Sequence, residues 1–197
     1  MQREAAKWRA ESPDTAARLQ GLSDVGMVLL RELPSLVDSF VDRLRAEPIV
    51  PGAESVRQTQ LADHISSHVA DLSVMLMAIE EARGQPSRLL ADGNEIQSCL
   101  AERHGLQRAR LGFTPNALDR EWTVLREEIQ RVIHRASKTV AETAMNEAML
   151  MIDRFLEQAR ETSARSLHRA LEDDAQARDE DEARLEAEAR RLIIKPA

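Results

Sequence analysis

Two histidines stand four residues apart, at His64 and His68, which is the spacing of one helical turn. Side chains at this spacing lie on one face of a helix and can direct two imidazoles at one metal ion. The neighbouring apolar residues define a separate stripe, however, and polar side chains beside such a stripe usually face solvent. No His-Glu-x-x-His motif or Cys/His cluster accompanies them. We therefore predict a solvated surface at these two histidines, with metal binding as the alternative.

A third histidine, His104, opens the stretch from His104 to Arg126 and is followed by Gly105. A glycine at this position leaves room for another backbone or a small ligand to come close. A histidine in such a place can hold a haem iron. The other interpretation is a half-buried histidine that forms a hydrogen bond with the carboxylate of Glu121 and fixes the corner between two helices. The residues alone leave both interpretations open.

The same stretch carries Arg108, Glu121 and Arg126. These side chains can bind an anionic signal or form an ion network inside the protein. A guanidinium pairs with a carboxylate in a forked geometry that holds two helices in register, so we predict the network. Trp122 follows Glu121 directly, and we expect its ring to pack in the core together with Phe113.

Enzyme motifs are missing from the sequence, which has no glycine-rich phosphate loop, nucleophile elbow, triad or metal set. We therefore predict a non-catalytic chain. A net charge of −7 without clustered Lys and Arg argues against nucleic acid as a partner. Cys99 is alone, which excludes an intrachain disulfide, and we expect it to be buried beside Leu100. No signal peptide or run of about 20 apolar residues is present, so we expect a cytoplasmic protein without membrane contact.

The composition of the chain predicts that helices position the histidine, arginine and glutamate side chains described above. The chain has seven Gly, seven Pro and no Tyr, and is rich in Ala, Leu, Glu and Arg, which favours an all-α fold without strands. Gly112 is expected to end one helix, Thr114 to cap the next, and Pro115 to occupy its first position. Apolar residues at intervals of three and four predict the core-facing side of this next helix: Leu118, Trp122, Leu125, Ile129, Val132 and Ile133.

Further helix boundaries follow from the same signals. We predict a short helix over residues 1–20 with Trp8 as its anchor, and a helix that Pro34 kinks or splits. Pro48 and Pro51 with Gly52 predict a break, followed by one long helix from Val56 to Ile79. Asn94 is expected to cap the helix that carries His104. A turn is predicted near Ser137, with a continuous helix as the alternative.

The last part of the chain differs in composition. Residues 172–191 hold nine acidic and four basic residues and few apolar ones. Such a segment buries too little apolar surface to offset the entropy of ordering by itself. We therefore predict a helical domain over residues 1–171 and a charged helical linker or tail over residues 172–197.

The pattern between residues 104 and 126 resembles the N-terminal sensor domain of the RsbR and RsbRD stressosome co-antagonists, which also precedes many bacterial histidine kinases. The resemblance covers roughly residues 61–156, and Trp122 departs from it because the family usually has Tyr or another aromatic residue there. The residues that carry it are His104, Gly105, Arg108, Gly112, Phe113, Leu118, Glu121, Leu125 and Arg126.

This resemblance implies a globin-like helical bundle without haem, ending in a long C-terminal helix. It implies the input domain of a sensor histidine kinase or stressosome-type regulator, which forms a homodimer through its last helix and acts on a downstream output module or partner protein. A small ligand of unknown identity is a possible signal, and the corner between His104 and Glu121 is the expected switch. The alternatives are a haem- or metal-binding globin-type sensor and a protein-docking scaffold without a ligand.

Overall fold

The computed structural model describes residues 17–50 and 56–193. Within these residues the regular structure is entirely helical, which confirms the all-α prediction. The predicted N-terminal helix around Trp8 and the break at Pro51 lie outside the described residues. In chain order the helices are α1 (Leu22–Arg45), α2 (Gln58–Ala62), α3 (Ile65–Glu81), α4 (Arg88–Arg110), α5 (Pro115–Arg135) and α6 (Glu142–Ile193).

The bundle is held together by four long helix–helix contacts. Helix α1 packs on α3 and α5, and α6 packs on α4 and α5. Burying one large aliphatic side chain contributes about 1.5–3 kcal/mol, so these faces supply most of the stabilisation. The predicted stripe of α5 is buried at every position. Side chains that the other helices bring to the same core include Leu29, Phe40, Leu72, Leu76, Ala148 and Ile152.

The corner between α4 and α5 has the predicted caps. Gly112 follows the end of α4 with a φ of +77°, a left-handed conformation that glycine adopts without strain. The Oγ1 of Thr114 accepts a hydrogen bond from the backbone N–H of Ala117 at 3.2 Å, and Pro115 is the first residue of α5. The turn near Ser137 is also confirmed, because α5 ends at Arg135 and α6 begins at Glu142.

The prediction of one helix from Val56 to Ile79 was wrong. Helix α2 ends at Ala62, the chain turns at Asp63 with a φ of +20°, and α3 begins at Ile65. The carbonyl groups at the end of α2 bind a side chain from α4 in place of backbone N–H groups, as described below. The helix can therefore stop without leaving these buried acceptors unpaired.

One other boundary differs from the prediction, and one of the two alternatives for Pro34 is excluded. Helix α4 begins at Arg88, and its cap is Ser87, whose Oγ accepts a hydrogen bond from the N–H of Leu90 at 3.2 Å. Asn94 therefore lies inside α4 and caps nothing. Helix α1 runs unbroken past Pro34, so the proline does not split it.

Helix α6 is 52 residues long and has two different halves. Up to Leu171 most of its apolar side chains pack against the bundle, whereas the described side chains from Glu172 to Glu186 are exposed. We call residues 172–193 the α6 tail. None of the helices in the described part of the chain is both long and apolar enough to cross a membrane.

Candidate functional site

Three ionisable side chains meet inside the bundle at the corner between α4 and α5. His104 and Arg108 stand one turn apart on α4, and Glu121 lies on α5. All three are fully buried, with side chains 0% exposed. The Gly112–Thr114 turn connects α4 to α5, and the side chain of Glu121 meets residues that precede it by 13 and 17 positions.

Arg108 binds Glu121 through the edge of its guanidinium group that carries Nε and Nη2. Its Nε donates to the two carboxylate oxygens of Glu121 at 2.8 and 3.0 Å, and its Nη2 donates to Oε1 at 2.5 Å. Two further N–H groups bind the end of α2: Nη1 donates to the carbonyl of Gln60 at 2.8 Å, and Nη2 to that of Leu61 at 2.7 Å. Nη1 also donates to Oε1 of Gln107 at 2.8 Å. One side chain thus joins three helices. The Phe113 ring covers the guanidinium at 5.1 Å.

The charge on Glu121 follows from these contacts. Burial by itself would raise the pKa of Glu121, but the positive charge of Arg108 and the nearby His104 outweigh it and lower this pKa to about 2. Glu121 is therefore ionised near neutral pH and balances the charge of Arg108. Removing one partner of such a buried pair typically costs about 3–5 kcal/mol.

His104 differs from its predicted state. It is fully buried, not half-buried, because Glu121 and Trp122 of α5 and His68 of α3 lie against it. Its Nε2 is 3.2 Å from Oε2 of Glu121, close enough for electrostatic attraction, yet neither ring nitrogen makes an aligned hydrogen bond. The Trp122 ring packs edge-on against His104, with ring centroids 5.3 Å apart. The structure therefore brings together four of the predicted site residues.

His68 also belongs to this cluster, which corrects the prediction that it is solvated. It lies three residues after Ile65 and four before Leu72, so it falls within the buried face of α3 and is 1% exposed. Its Nδ1 donates to Oε1 of Gln97 at 2.5 Å. The His68 ring packs edge-on against Trp122 at 5.3 Å, and against the His104 ring at 6.2 Å.

The orientation of Gln97 fixes the proton on His68. The amide nitrogen of Gln97 donates to Oδ2 of Asp71 at 3.2 Å, so its oxygen faces the imidazole and must accept from Nδ1. Burial, followed by the charge of nearby His104, lowers the pKa of His68 to about 4. His68 is therefore neutral near pH 7.

His64 lies apart from this cluster. Its side chain is 20% exposed, and its Nε2 is 3.4 Å from Oδ2 of Asp63. Burial lowers the pKa of His64, and the charge of Asp63 opposes that effect. In the described part of the chain, no group of three or more His, Cys, Asp or Glu side chains has the arrangement of a metal site.

Arg126 was wrongly grouped with Arg108 and Glu121. It lies on a partly exposed side of α5, where Nε and Nη2 donate to the two carboxylate oxygens of Asp153 on α6 at 2.6 and 2.9 Å. Its partner belongs to α6 because Arg126 follows Glu121 by five residues, which places the two side chains on different sides of the helix. Arg126 links α5 to α6 and does not contact the buried cluster.

Two buried residues, Gln97 and Glu128, were not predicted from the sequence, and a third residue, Cys99, was predicted wrongly. Gln97 is 5% exposed, and its helical spacing with Ala101 and His104 was a signal for its burial. Cys99 is exposed, contrary to prediction, because it lies on the opposite side of α4. Glu128 is 2% exposed and binds Arg43 of α1 at 2.8 Å, a pairing that nothing in the spacing indicated.

Several polar atoms of the cluster lack partners. Nε2 of His68 and Nε1 of Trp122 are buried without a hydrogen bond, as are both ring nitrogens of His104. A buried polar group without a partner typically costs about 1–3 kcal/mol. Beside Gln97, between α4 and α6, is a cavity of about 10 Å³, the size of one water molecule, which Phe155 and Ala159 also line. The cluster is thus a polar, imperfectly satisfied region in an otherwise apolar core.

The chain matches no known protein family, no curated protein and no solved structure.

Proposed function

We propose that this chain is the non-catalytic input domain of a cytoplasmic bacterial signalling protein, either a sensor histidine kinase or a stressosome-type regulator, with a globin-like helical arrangement. The observation that carries the proposal is the continuity of α6. The same helix packs inside the bundle up to Leu171 and continues outward to Ile193. A rearrangement inside the bundle can therefore reach a downstream module without crossing a loop.

The buried cluster supports the proposal because it lies next to α6. Gly105, the neighbour of His104, touches the backbone of Ser163 on α6 directly. Packed interiors switch between discrete arrangements and do not deform continuously. A change in the position of His104 or Glu121 would therefore move α4 against α6 and displace the tail.

The signal acts by shifting the balance between two helix packings. It can be a small ligand, a partner protein or a physical change, provided that it binds or favours one packing over the other. To move a two-state equilibrium from 1:99 to 99:1, this preference must be about 5.5 kcal/mol. Unpaired nitrogens on His68, His104 and Trp122 supply such a preference if a second packing gives them partners.

A fusion tests the relay. Residues 1–193 are joined to the dimerisation and ATP-binding modules of a well-behaved histidine kinase, and one to four alanines are inserted after Asp174. Each added residue rotates the downstream module by about 100°, so autophosphorylation is expected to vary with a period near 3.6 residues. Activity that does not depend on insert length would contradict the proposal.

Variants of the cluster test the switch in the same fusion. Glu121→Gln and His104→Asn are expected to change kinase output, whereas Asp153→Asn, which alters an exposed pair, leaves it unchanged. His104→Asn keeps the Arg108–Glu121 pair, so it separates signalling from loss of stability. Unchanged output in both cluster variants, with the protein still folded by circular dichroism, would remove the cluster from the mechanism.

A ligand-free docking scaffold is the second candidate function. The exposed, acidic side chains of the tail between residues 172 and 186 favour it, since such a surface suits a basic partner. Charge reversal of this segment would then abolish co-purification of the partner, and variants of the buried cluster would leave co-purification unchanged.

A further inference from the structure

The outer face of α4 carries large apolar side chains that nothing in the bundle covers. Leu89 is 55% exposed, Ile96 is 51% exposed and Leu106 is 39% exposed. Cys99 is exposed on the same face. The side of α4 that packs on the bundle is a different one, formed by Gln97, Ala101, His104, Gly105 and Arg108.

These outward residues repeat with the spacing of a coiled coil. Leu89 and Ile96 are seven residues apart, and so are Cys99 and Leu106. Two exposed charged residues, Asp92 and Arg103, fill the remaining positions of the same heptad. The complete set, at intervals of three and four, is Leu89, Asp92, Ile96, Cys99, Arg103 and Leu106, which we call the α4 seam.

We propose that the α4 seam binds the α4 seam of a second copy of this chain, with the two helices antiparallel. A two-fold axis between Gln97 and Ser98 places Leu89 opposite Leu106 of the second copy. The same axis places Ile96 opposite Cys99 of the second copy. Every apolar side chain of the seam thus meets an apolar side chain, as a two-fold interface requires.

The charged positions give this alignment its specificity. The axis that pairs the apolar residues also places Asp92 opposite Arg103 of the second copy, and symmetry produces this pair twice. A parallel alignment in register would set Asp92 against Asp92 and Arg103 against Arg103, which is repulsive. Within one copy, Asp92 has only a long, exposed contact with Arg88 at 3.9 Å, so it can turn to the other chain.

The α6 tail is less suited to the same task. A coiled coil needs large apolar residues at two positions of each heptad. Between residues 172 and 186, Leu185 is the single large apolar residue. The predicted homodimer through the last helix would therefore bury little apolar surface along the tail, whereas three large aliphatic side chains already project from the seam.

The rim of the seam carries like charges that the arrangement must tolerate. Glu95 and Glu102 are exposed on one edge of α4, and the antiparallel alignment brings Glu95 near Glu102 of the second copy. In each copy Glu102 shares a surface groove with two arginines and two further glutamates of α6, Arg154, Arg165, Glu157 and Glu161, so the groove does not offset this repulsion. Such exposed pairs contribute only a few tenths of a kcal/mol each.

The proposal also fixes where the two tails point. Helix α5 runs antiparallel to α6, since Arg126 pairs with Asp153 and Asp119 pairs with Arg160. Helix α4 runs in the same direction as α6, since Asn94 lines one cavity with Phe155 and Gly105 lies beside Ser163. Joining two α4 helices in opposite directions therefore sends the two tails out of opposite ends of the dimer. The seam thus joins copies whose tails enter separate output modules, and not the two copies that share one dimeric kinase module.

A charge-swap cycle tests the interface. The dimer dissociation constant of the full chain is measured by sedimentation equilibrium for the wild type, Asp92→Arg, Arg103→Asp and the double variant. Each single variant sets like charges opposite each other twice and is expected to raise the constant by at least about 10-fold, which corresponds to about 1.4 kcal/mol. The double variant restores opposite charges and is expected to return within about 3-fold of the wild type. Glu182→Arg, on the tail, is the control and should change nothing.

Two results would overturn the interface. One is a wild-type chain that stays monomeric at the highest soluble concentration. The other is a double variant no tighter than the single variants. Ile96→Glu and Leu150→Glu provide a matched comparison on exposed positions of α4 and α6, with folding checked by circular dichroism. Dissociation by Ile96→Glu alone supports the seam, and dissociation by Leu150→Glu alone places the interface on α6 and contradicts it.

Spin labels on the tails test the antiparallel arrangement independently. Arg178→Cys is labelled in a Cys99→Val background, and the distance between the two labels is measured by electron double resonance. The hydrogen bond from Ser163 to Ala101 sets the level of the axis near residue 159 of α6. With a rise of 1.5 Å per residue, the labels should be about 55 Å apart or more. A distance below about 25 Å would mean that the tails lie side by side, and would overturn the proposal.

Discussion

Gly105 of α4 lies so close to Ser163 of α6 that a Cβ atom on the glycine would clash with the Ser163 carbonyl oxygen. The Oγ of Ser163 also donates a hydrogen bond to the carbonyl of Ala101 at 2.9 Å. Small residues let two helix backbones approach in this way, and the approach leaves no room for adjustment. This contact is where the buried cluster meets the helix that leaves the bundle.

Gly105→Ala is expected to lower the free energy of unfolding by about 1–3 kcal/mol, because α4 and α6 must separate to admit the methyl group. Gly93→Ala is the matched control on the same helix, where a Cβ would meet only the Met75 side chain at 3.4 Å. That variant should gain about 0.5–1 kcal/mol from helix propensity. Urea unfolding of both variants measures the two effects, and a neutral Gly105→Ala would contradict the close contact.

Glu121→Gln should lower the free energy of unfolding by about 3 kcal/mol, because it leaves the buried charge of Arg108 without its counter-charge. Asp153→Asn removes the partner of Arg126 at an exposed site and should cost no more than about 1 kcal/mol. Chemical denaturation at pH 7 measures the free energy of unfolding of both variants. Equal losses in the two variants would mean that burial does not distinguish these ion pairs.

Arg108→Lys keeps the charge but loses the forked donor group. The carbonyls of Gln60 and Leu61 then lack their buried donors, which is expected to cost about 3 kcal/mol and to loosen α2. Hydrogen exchange of the α2 amides should accelerate more than exchange elsewhere. In the control Arg126→Lys, the exchange rates of the α2 amides should equal those of the wild type. If Arg108→Lys also leaves these rates unchanged, the guanidinium of Arg108 does not hold α2.

Acidification should destabilise the protein through His68. Its pKa is about 4 in the folded chain and 6.5 in the unfolded chain, so the unfolded chain takes up a proton first as the pH falls through this range. The free energy of unfolding should therefore fall by about 2 kcal/mol between pH 7.5 and pH 5.0. His68→Asn, which keeps a donor for Gln97, should remove most of this loss. His168→Asn, on the exposed side of α6, should retain the whole loss.

The features that could be predicted from the sequence are those that neighbouring residues determine. Gly112, Thr114 and Pro115 act within one helical turn, and each contributes its own backbone geometry or hydrogen bond. The buried stripe of α5 is predictable for a similar reason. Intervals of three and four place its residues on one side of the helix, whatever they pack against. The proximity of His104 and Glu121 followed from this corner.

The features that could not be predicted from the sequence are those that a residue far away in the chain determines. The stop at Ala62 depends on Arg108, which follows it by 46 residues and takes the carbonyls that would otherwise continue the helix. Whether His68 is buried depends on how wide the buried face of α3 is. Whether Cys99 is buried depends on which side of α4 packs against α6. The local spacing is compatible with a buried or an exposed position for each residue, and only tertiary packing decides between the two.

The unbroken course of α6 makes it a lever as well as a tether. From Ser163, where Gly105 presses on it, to Ile193 the helix spans 30 residues, or about 45 Å at its usual rise per residue. A tilt of about 5° at that fulcrum would swing the far end by about 4 Å, from the same helix dimensions. A displacement too small to disturb the core could thus be magnified at the tip into the width of an atom or more.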